Sequence, residues 1–163
     1  GSWFSPHLYA GETILSLPEL LARHGEALTY PIELKGPGPE LVAATRAVVD
    51  STGLVDRCVF TSFDLEALAH LRRLDSAARL GWLVGQIDVA ACEQAQRLGL
   101  FQLCPRAAGI DAAAVARARQ VVPEVRAWGL GGPGQQVAEL VRAVLAAAGQ
   151  GVTIDRPDWL THA

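Results

Sequence analysis

The residues with the most chemical potential in this chain are Glu33 and Lys35, in the stretch Thr-Tyr-Pro-Ile-Glu-Leu-Lys-Gly-Pro-Gly-Pro at residues 29–39. Residues 30–34 read as a short strand, and side chains two positions apart on a strand leave the same face. The carboxylate and the ammonium therefore project together. Two Gly-Pro steps stop the strand, and Glu40 opens a helical pattern. A carboxylate two residues before a cation, at the end of a strand that feeds a helix, suits a place where a metal and an anion meet. Its oxygens can hold a hard cation such as Mg²⁺ or Ca²⁺, while the ammonium neutralises a phosphate oxygen. The same spacing also describes a Glu–Lys pair that fills the polar end of a sheet, which is the commoner arrangement in α/β proteins.

The elements that must position this pair follow from the chain's punctuation. Residues 17–23 read as a helix with Pro18 at its first position and Leu17, Leu20 and Leu21 on one stripe. Residues 39–52 form a second helix, closed by Gly53, with Leu41, Ala44, Thr45, Val48 and Val49 on one face. The β-branched and aromatic run 58–63 reads as a buried strand, and Asp64 stands where a cap is wanted for helix 65–74, which turns Leu68, Leu71 and Leu74 inward. Strands follow at 79–84, 100–104, 124–130 and 152–155. Asp88 caps a helix at 89–98, Asp111 one at 112–120, and residues 135–148 form the longest. Residues 1–11, with Trp3, Phe4 and Tyr9, read as a loop pinned by aromatic anchors. Six strand-and-helix units recurring about every 20 to 30 residues have the rhythm of right-handed βαβ crossovers and a parallel sheet. Ligands of such sheets lie at the carboxyl ends of the strands. That edge gathers Glu33, Lys35, Phe63, Arg106, Trp128 and Asp155, among others.

At 163 residues the chain suits one domain spanning 1–163. Half of it is hydrophobic and 19% charged, with 14 Lys and Arg against 17 Asp and Glu, a net charge of −3. No basic run occurs, which argues against nucleic acid as the main partner. The longest apolar runs, such as 141–148, are interrupted by Arg142 and too short to span a bilayer. Cys58, Cys92 and Cys104 lie far apart and read as small buried hydrophobes in a reducing compartment, here taken as the cytoplasm. With no His partnered to it in any readable motif, Cys104 reads as inert. Asp64 and Asp155 could be carboxylate ligands, but a cap and a local ion pair with Arg156 are the simpler readings. The glycines of 131–134 read as a flexible turn, since they lack the Lys-Ser/Thr of a nucleotide loop.

Taken together, the motifs resemble those of the glycerophosphodiester phosphodiesterases. The likeness is carried by Gly-Ser-Trp-Phe-Ser-Pro at 1–6, Gly-Glu-Thr-Ile at 11–14, Ile-Glu-Leu-Lys at 32–35 and Thr-Ser-Phe-Asp at 61–64. It continues with Cys-Pro at 104–105, Val-Arg-Ala-Trp at 125–128 and Asp-Arg-Pro-Asp-Trp-Leu at 155–160. The resemblance implies metal-assisted hydrolysis of glycerophosphodiesters to glycerol 3-phosphate and an alcohol, on a (β/α)₈ barrel. It makes Glu33 a ligand of the divalent cation, brings Lys35 to the phosphate, and makes Phe63 and Trp128 apolar walls of the pocket. The family's His-Arg-Gly strand end, Glu-x-Asp strand and His-Asp pair do not occur in this sequence, and His7, His24, His70 and His162 are not at catalytic spacing.

The expectation is therefore an incomplete (β/α)₈ TIM-type barrel with about six of eight units, whose first and last strands are open edges. Such a chain is either one piece of a longer polypeptide or pairs its edges with another chain, by self-association or with a missing N-terminal segment. With a single carboxylate it should hold Mg²⁺ or Ca²⁺ weakly and turn over little substrate alone. The alternatives are a catalytically silent barrel fragment serving as an interaction or assembly module, and a phosphosugar-binding domain without hydrolysis.

Overall fold

The structure is a computed structural model that describes residue 11, residues 13–36 and residues 38–155. Most of the aromatic loop, and the tail with Arg156 and His162, lie outside the described residues. In chain order the elements are α1 Leu17–His24, β1 Tyr30–Glu33, α2 Pro39–Thr52, β2 Cys58–Ser62, α3 Leu65–Leu74, β3 Leu80–Val84 and α4 Val89–Leu98. They continue with β4 Gln102–Pro105, α5 Ala112–Ala118, β5 Glu124–Ala127, α6 Gly134–Ala146 and β6 Gly151–Val152.

Local chemistry accounts for most of these bounds. Asp64 accepts from the Glu66 N–H at 2.9 Å, Asp88 from Ala91 at 2.7 Å and Asp111 from Ala114 at 2.8 Å, so three helices begin where a carboxylate satisfies an orphan amide. Gly53 and Gly99 close α2 and α4 in the left-handed conformation, at φ 69° and 63°.

All neighbouring strands are parallel, in the linear order β1-β2-β3-β4-β5-β6, and the sheet curls into an open half-barrel. The repeat called for the parallel sheet, and the open curl is the incomplete (β/α) barrel that the resemblance implied. Among the described residues β1 does not pair with β6, so both remain edges. The Leu34 N–H donates to the Thr61 carbonyl at 2.7 Å. Because main-chain groups of alternate residues in a parallel strand point to opposite sides, Pro31 and Glu33 direct theirs away from β2. Pro31 therefore removes no bond from the β1–β2 ladder, which is where a strand tolerates proline.

The helix-facing side of the sheet is the core: Phe60 is 1% exposed, and Leu80, Leu103 and Val125 are 0% exposed. Each such side chain contributes about 1.5–3 kcal/mol by leaving water.

Four expectations need correction. Helix α2 buries Val42, Thr45 and Val49, while Leu41 is 39% exposed. Two adjacent stripes of this helix are apolar, and the period alone does not choose between them. Leu74 is 53% exposed at the end of α3, where Ala67 is buried with Leu68 and Leu71. The longest helix is α2 at 14 residues, one more than the 13 of α6. Strand β5 has four residues and β6 two. The positive φ of Gly129, 77°, turns the chain just after Trp128, so the apolar run to Leu130 is not extended throughout.

Candidate active site

Glu33 is the last residue of β1, and Lys35 lies two beyond it. The Lys35 Nζ stands 3.4 Å from Glu33 Oε2, so the same-face spacing does bring the two charges together. Their side chains are 76% and 32% exposed, which makes this a solvated ion pair whose ammonium can turn to another anion at little cost.

Across the mouth, the rings of Phe63 and Trp128 meet edge to face, centroids 4.9 Å apart and planes at 89°. Indole-to-carbonyl bonds hold the Trp128 ring and the main chain at Phe63. The Trp128 indole N–H donates to the Val84 carbonyl at 3.0 Å, and the Trp82 indole N–H donates to the Phe63 carbonyl at 3.2 Å. Phe63 keeps 52% of its surface exposed, as a pocket wall would. Trp128 thus packs against the sheet and lines the cavity at once.

A cavity of about 390 Å³ opens here, lined among others by Glu33, Thr61, Phe63, Arg126, Trp128 and Asp155. A neighbouring hollow of about 410 Å³ holds Lys35 with Ser62 and Asp64, and shares Glu33 and Phe63 with the first. Glu33, Phe63, Trp128 and Asp155 are therefore gathered at one cavity, whereas Lys35 reaches it only through its pairing with Glu33.

Two arginines join this constellation without having been given a role from sequence. Arg126 lines the cavity, its guanidinium 3.2 Å from Glu124 Oε1 and bonded to the Val152 carbonyl at 3.1 Å. The alternation Glu124, Arg126, Trp128 is the signal that would have placed it on the inner face. Arg106, one step past β4, lies with its guanidinium carbon 5.8 Å from the Trp128 ring centroid. Its stem crosses Gly129, where a Cβ would come within 3.2 Å of Arg106 Cγ.

The remaining candidates are structural. Cys104 is 3% exposed, and burial pushes its thiol up to about 12, so the thiolate a nucleophile needs is absent near neutral pH. Asp64 is engaged as the cap of α3. His24 ends α1, and His70 lies on α3 with its Nδ1 3.4 Å from Arg73 Nη2.

Among the described residues no three His, Cys, Asp or Glu side chains gather closely enough to hold a metal ion. One carboxylate already neutralised by an ammonium falls short of what a divalent cation needs. The donor set does not by itself fit the cation.

Comparison with known proteins places this architecture. No protein-family model and no curated protein matches the sequence. Solved structures do. A Galdieria sulphuraria protein assigned as a glycerophosphodiester phosphodiesterase superposes with a TM-score of 0.81 at 22% identity, over 93% of this chain and 64% of its own. An Oleispira antarctica phosphodiesterase in complex with the product sn-glycerol-3-phosphate gives 0.77 at 22% identity, over 95% and 63%. The glycerophosphodiester phosphodiesterase of Agrobacterium tumefaciens gives 0.78 at 19%, over 100% and 67%. The shared fold is that of glycerophosphodiester phosphodiesterases. The chain spans 64% of the first of these proteins and 63% of the second. Among the described residues no helix is long and apolar enough to cross a membrane.

Proposed function

We propose that residues 1–163 belong to one domain of a glycerophosphodiester phosphodiesterase, a hydrolase that releases glycerol 3-phosphate and an alcohol. The observation that carries this reading is the Glu33–Lys35 pair, 3.4 Å apart at the carboxyl mouth of a parallel half-barrel and facing the Phe63–Trp128 wall. In this reading Lys35 is the electrostatic residue at the phosphate, offsetting charge that builds on its oxygens. Phe63 and Trp128 bind the substrate as walls and keep bulk water from its apolar part. Glu33 contributes one ligand to a divalent cation, Mg²⁺ or Ca²⁺, which this chain alone holds weakly. The buried, free state of Cys58, Cys92 and Cys104 supports a reducing compartment such as the cytoplasm.

The test is hydrolysis of glycerophosphocholine and glycerophosphoglycerol with Mg²⁺ or Ca²⁺, on this chain and on any longer product of the same reading frame. Activity that falls about 100-fold or more in Glu33→Gln and Lys35→Ala is the expected outcome, the scale at which lost preorganised charge is felt. Activity untouched by both substitutions would remove the assignment.

The unpaired edges β1 and β6 favour a second reading: a catalytically silent barrel fragment that assembles through them, with itself or with another segment. Light scattering after size exclusion separates the two, since a silent module gives an assembled species and no hydrolysis in either form of the protein.

A further inference from the structure

We propose that Arg106 makes this mouth selective for glycerophosphodiesters whose alcohol carries an oxyanion of its own, a carboxylate or a phosphate. The inference rests on the phosphodiesterase reading and extends it to the head group. Four observations carry it.

First, the guanidinium is locally uncompensated. Among the described residues the cations in salt bridges are Lys35, Arg46 and Arg126, and Arg106 has no carboxylate within ion-pair distance. The other charges at the cavity are already engaged or of opposite sign: Glu33 with Lys35, Arg126 with Glu124, and Asp155. Second, it is positioned. Its stem lies over Gly129, whose positive φ and missing Cβ leave the space, and its planar head lies over the Trp128 ring. The residue is otherwise exposed, so the guanidinium is open to a ligand, and its fork matches carboxylate and phosphate geometry. Third, it already puts a positive charge beside the indole that a quaternary ammonium would use, its guanidinium carbon 5.8 Å from the ring centroid, and two cations near one ring repel. Fourth, the placement is beside the cavity. Arg106 itself lines neither hollow, but Trp128 and Gly129, against which it lies, are both in the wall of the first, while Lys35 is in the neighbouring one. In this proposal a diester whose phosphate meets Lys35 turns its alcohol end toward Arg106.

The experiment is calorimetric titration of the folded chain, at low salt, with four probes: glycerophosphoserine, glycerophosphoinositol 4-phosphate, glycerophosphoglycerol and glycerophosphocholine. The expected order places both oxyanion-bearing head groups, the zwitterionic serine and the inositol phosphate, about tenfold tighter than choline, with glycerol between, since a charge-assisted contact is of that size. A stronger response to the serine compound marks a carboxylate subsite, and a stronger response to the inositol phosphate marks a phosphate subsite. Arg106→Gln should bring all four within about twofold of one another, and raising salt from low to about 0.5 M should narrow the wild-type spread. Equal binding by the wild type, a preference that survives Arg106→Gln, or no binding at all would overturn the proposal. If Arg106→Gln does not fold, Arg106→Lys decides: it keeps the charge without the planar fork, and a full tenfold preference unaffected by salt in that variant also overturns it. Hydrolysis of the same probes is scored separately. An intact binding order without hydrolysis sinks the enzyme reading alone, and hydrolysis without a binding order sinks only the head-group inference.

Discussion

On the helix-facing side of the sheet Phe60, Leu80, Leu103 and Val125 are shut from water, whereas the inner side of the same strands carries Thr61, Gln102, Glu124 and Arg126. Successive residues of one strand thus serve opposite purposes. The first face supplies the free energy that holds the units together. The second mixes apolar walls with polar groups that the fold tolerates because they are bonded: among the described residues no fully buried side-chain nitrogen or oxygen lacks a partner. Gly81 shows how closely this is fitted, since a Cβ there would lie 2.9 Å from Gln102 Oε1 and 3.0 Å from Thr61 Cγ2. The division teaches that one face can be altered for chemistry while the other keeps the architecture.

The largest break in that division comes from the core side. Phe60→Ala should cost about 3–5 kcal/mol, while Phe63→Ala, three residues along and half exposed, should cost well under half of that. Urea unfolding of the two variants measures the contrast, and equal losses would erase it.

Next in size is a pH dependence seated on the inner face. The Cys104 thiol has an ordinary value of 9.0 and is held up to about 12 by burial. Below 9 both folded and unfolded chains keep the proton; above 9 the unfolded chain loses it first. Stability therefore falls as pH rises from 9 toward 12, with a slope of up to about 1.4 kcal/mol per pH unit. Unfolding curves at pH 8, 9 and 10 should show the decline, and Cys104→Ala should flatten it.

Smaller again is the loss of a cap. Asp64→Ala should cost about 1 kcal/mol, because Asp64 bonds the Glu66 amide, and should leave Mg²⁺ affinity unchanged. Isothermal titration with Mg²⁺ distinguishes this from a ligand role, in which affinity would drop. The smallest change in stability is expected at the site itself. Glu33→Gln and Lys35→Gln should each shift it by less than about 0.5 kcal/mol, since the pair is solvated. A larger loss on thermal melting would mean that the pair props up the sheet, as the commoner reading of its spacing has it.

How far each level could be read from sequence follows from the range of the forces involved. The bounds of α2 at Pro39 and Thr52 and the three aspartate caps are legible because proline, glycine and aspartate act on their own neighbours. The choice of Val42 over Leu41 is made by packing from elsewhere in the chain, and neither stripe of the helix announces it. The same holds at the mouth. Alternation along one strand pairs Glu33 with Lys35, and the strand ends put Phe63 and Trp128 at the carboxyl edge, but the approach of Arg106 to Trp128 joins two strands across a ladder that sequence does not print.

The outward turn of the main chain at Pro31 has one more implication. Within β1 the only amide hydrogen presented to the open side belongs to Glu33, because Pro31, the other residue facing that way, has none to give. Any polypeptide that came to lie alongside would have to grip this strand through the backbone of the very residue whose side chain enters the mouth. Annealing of the sheet and aiming of that carboxylate would then be a single mechanical event.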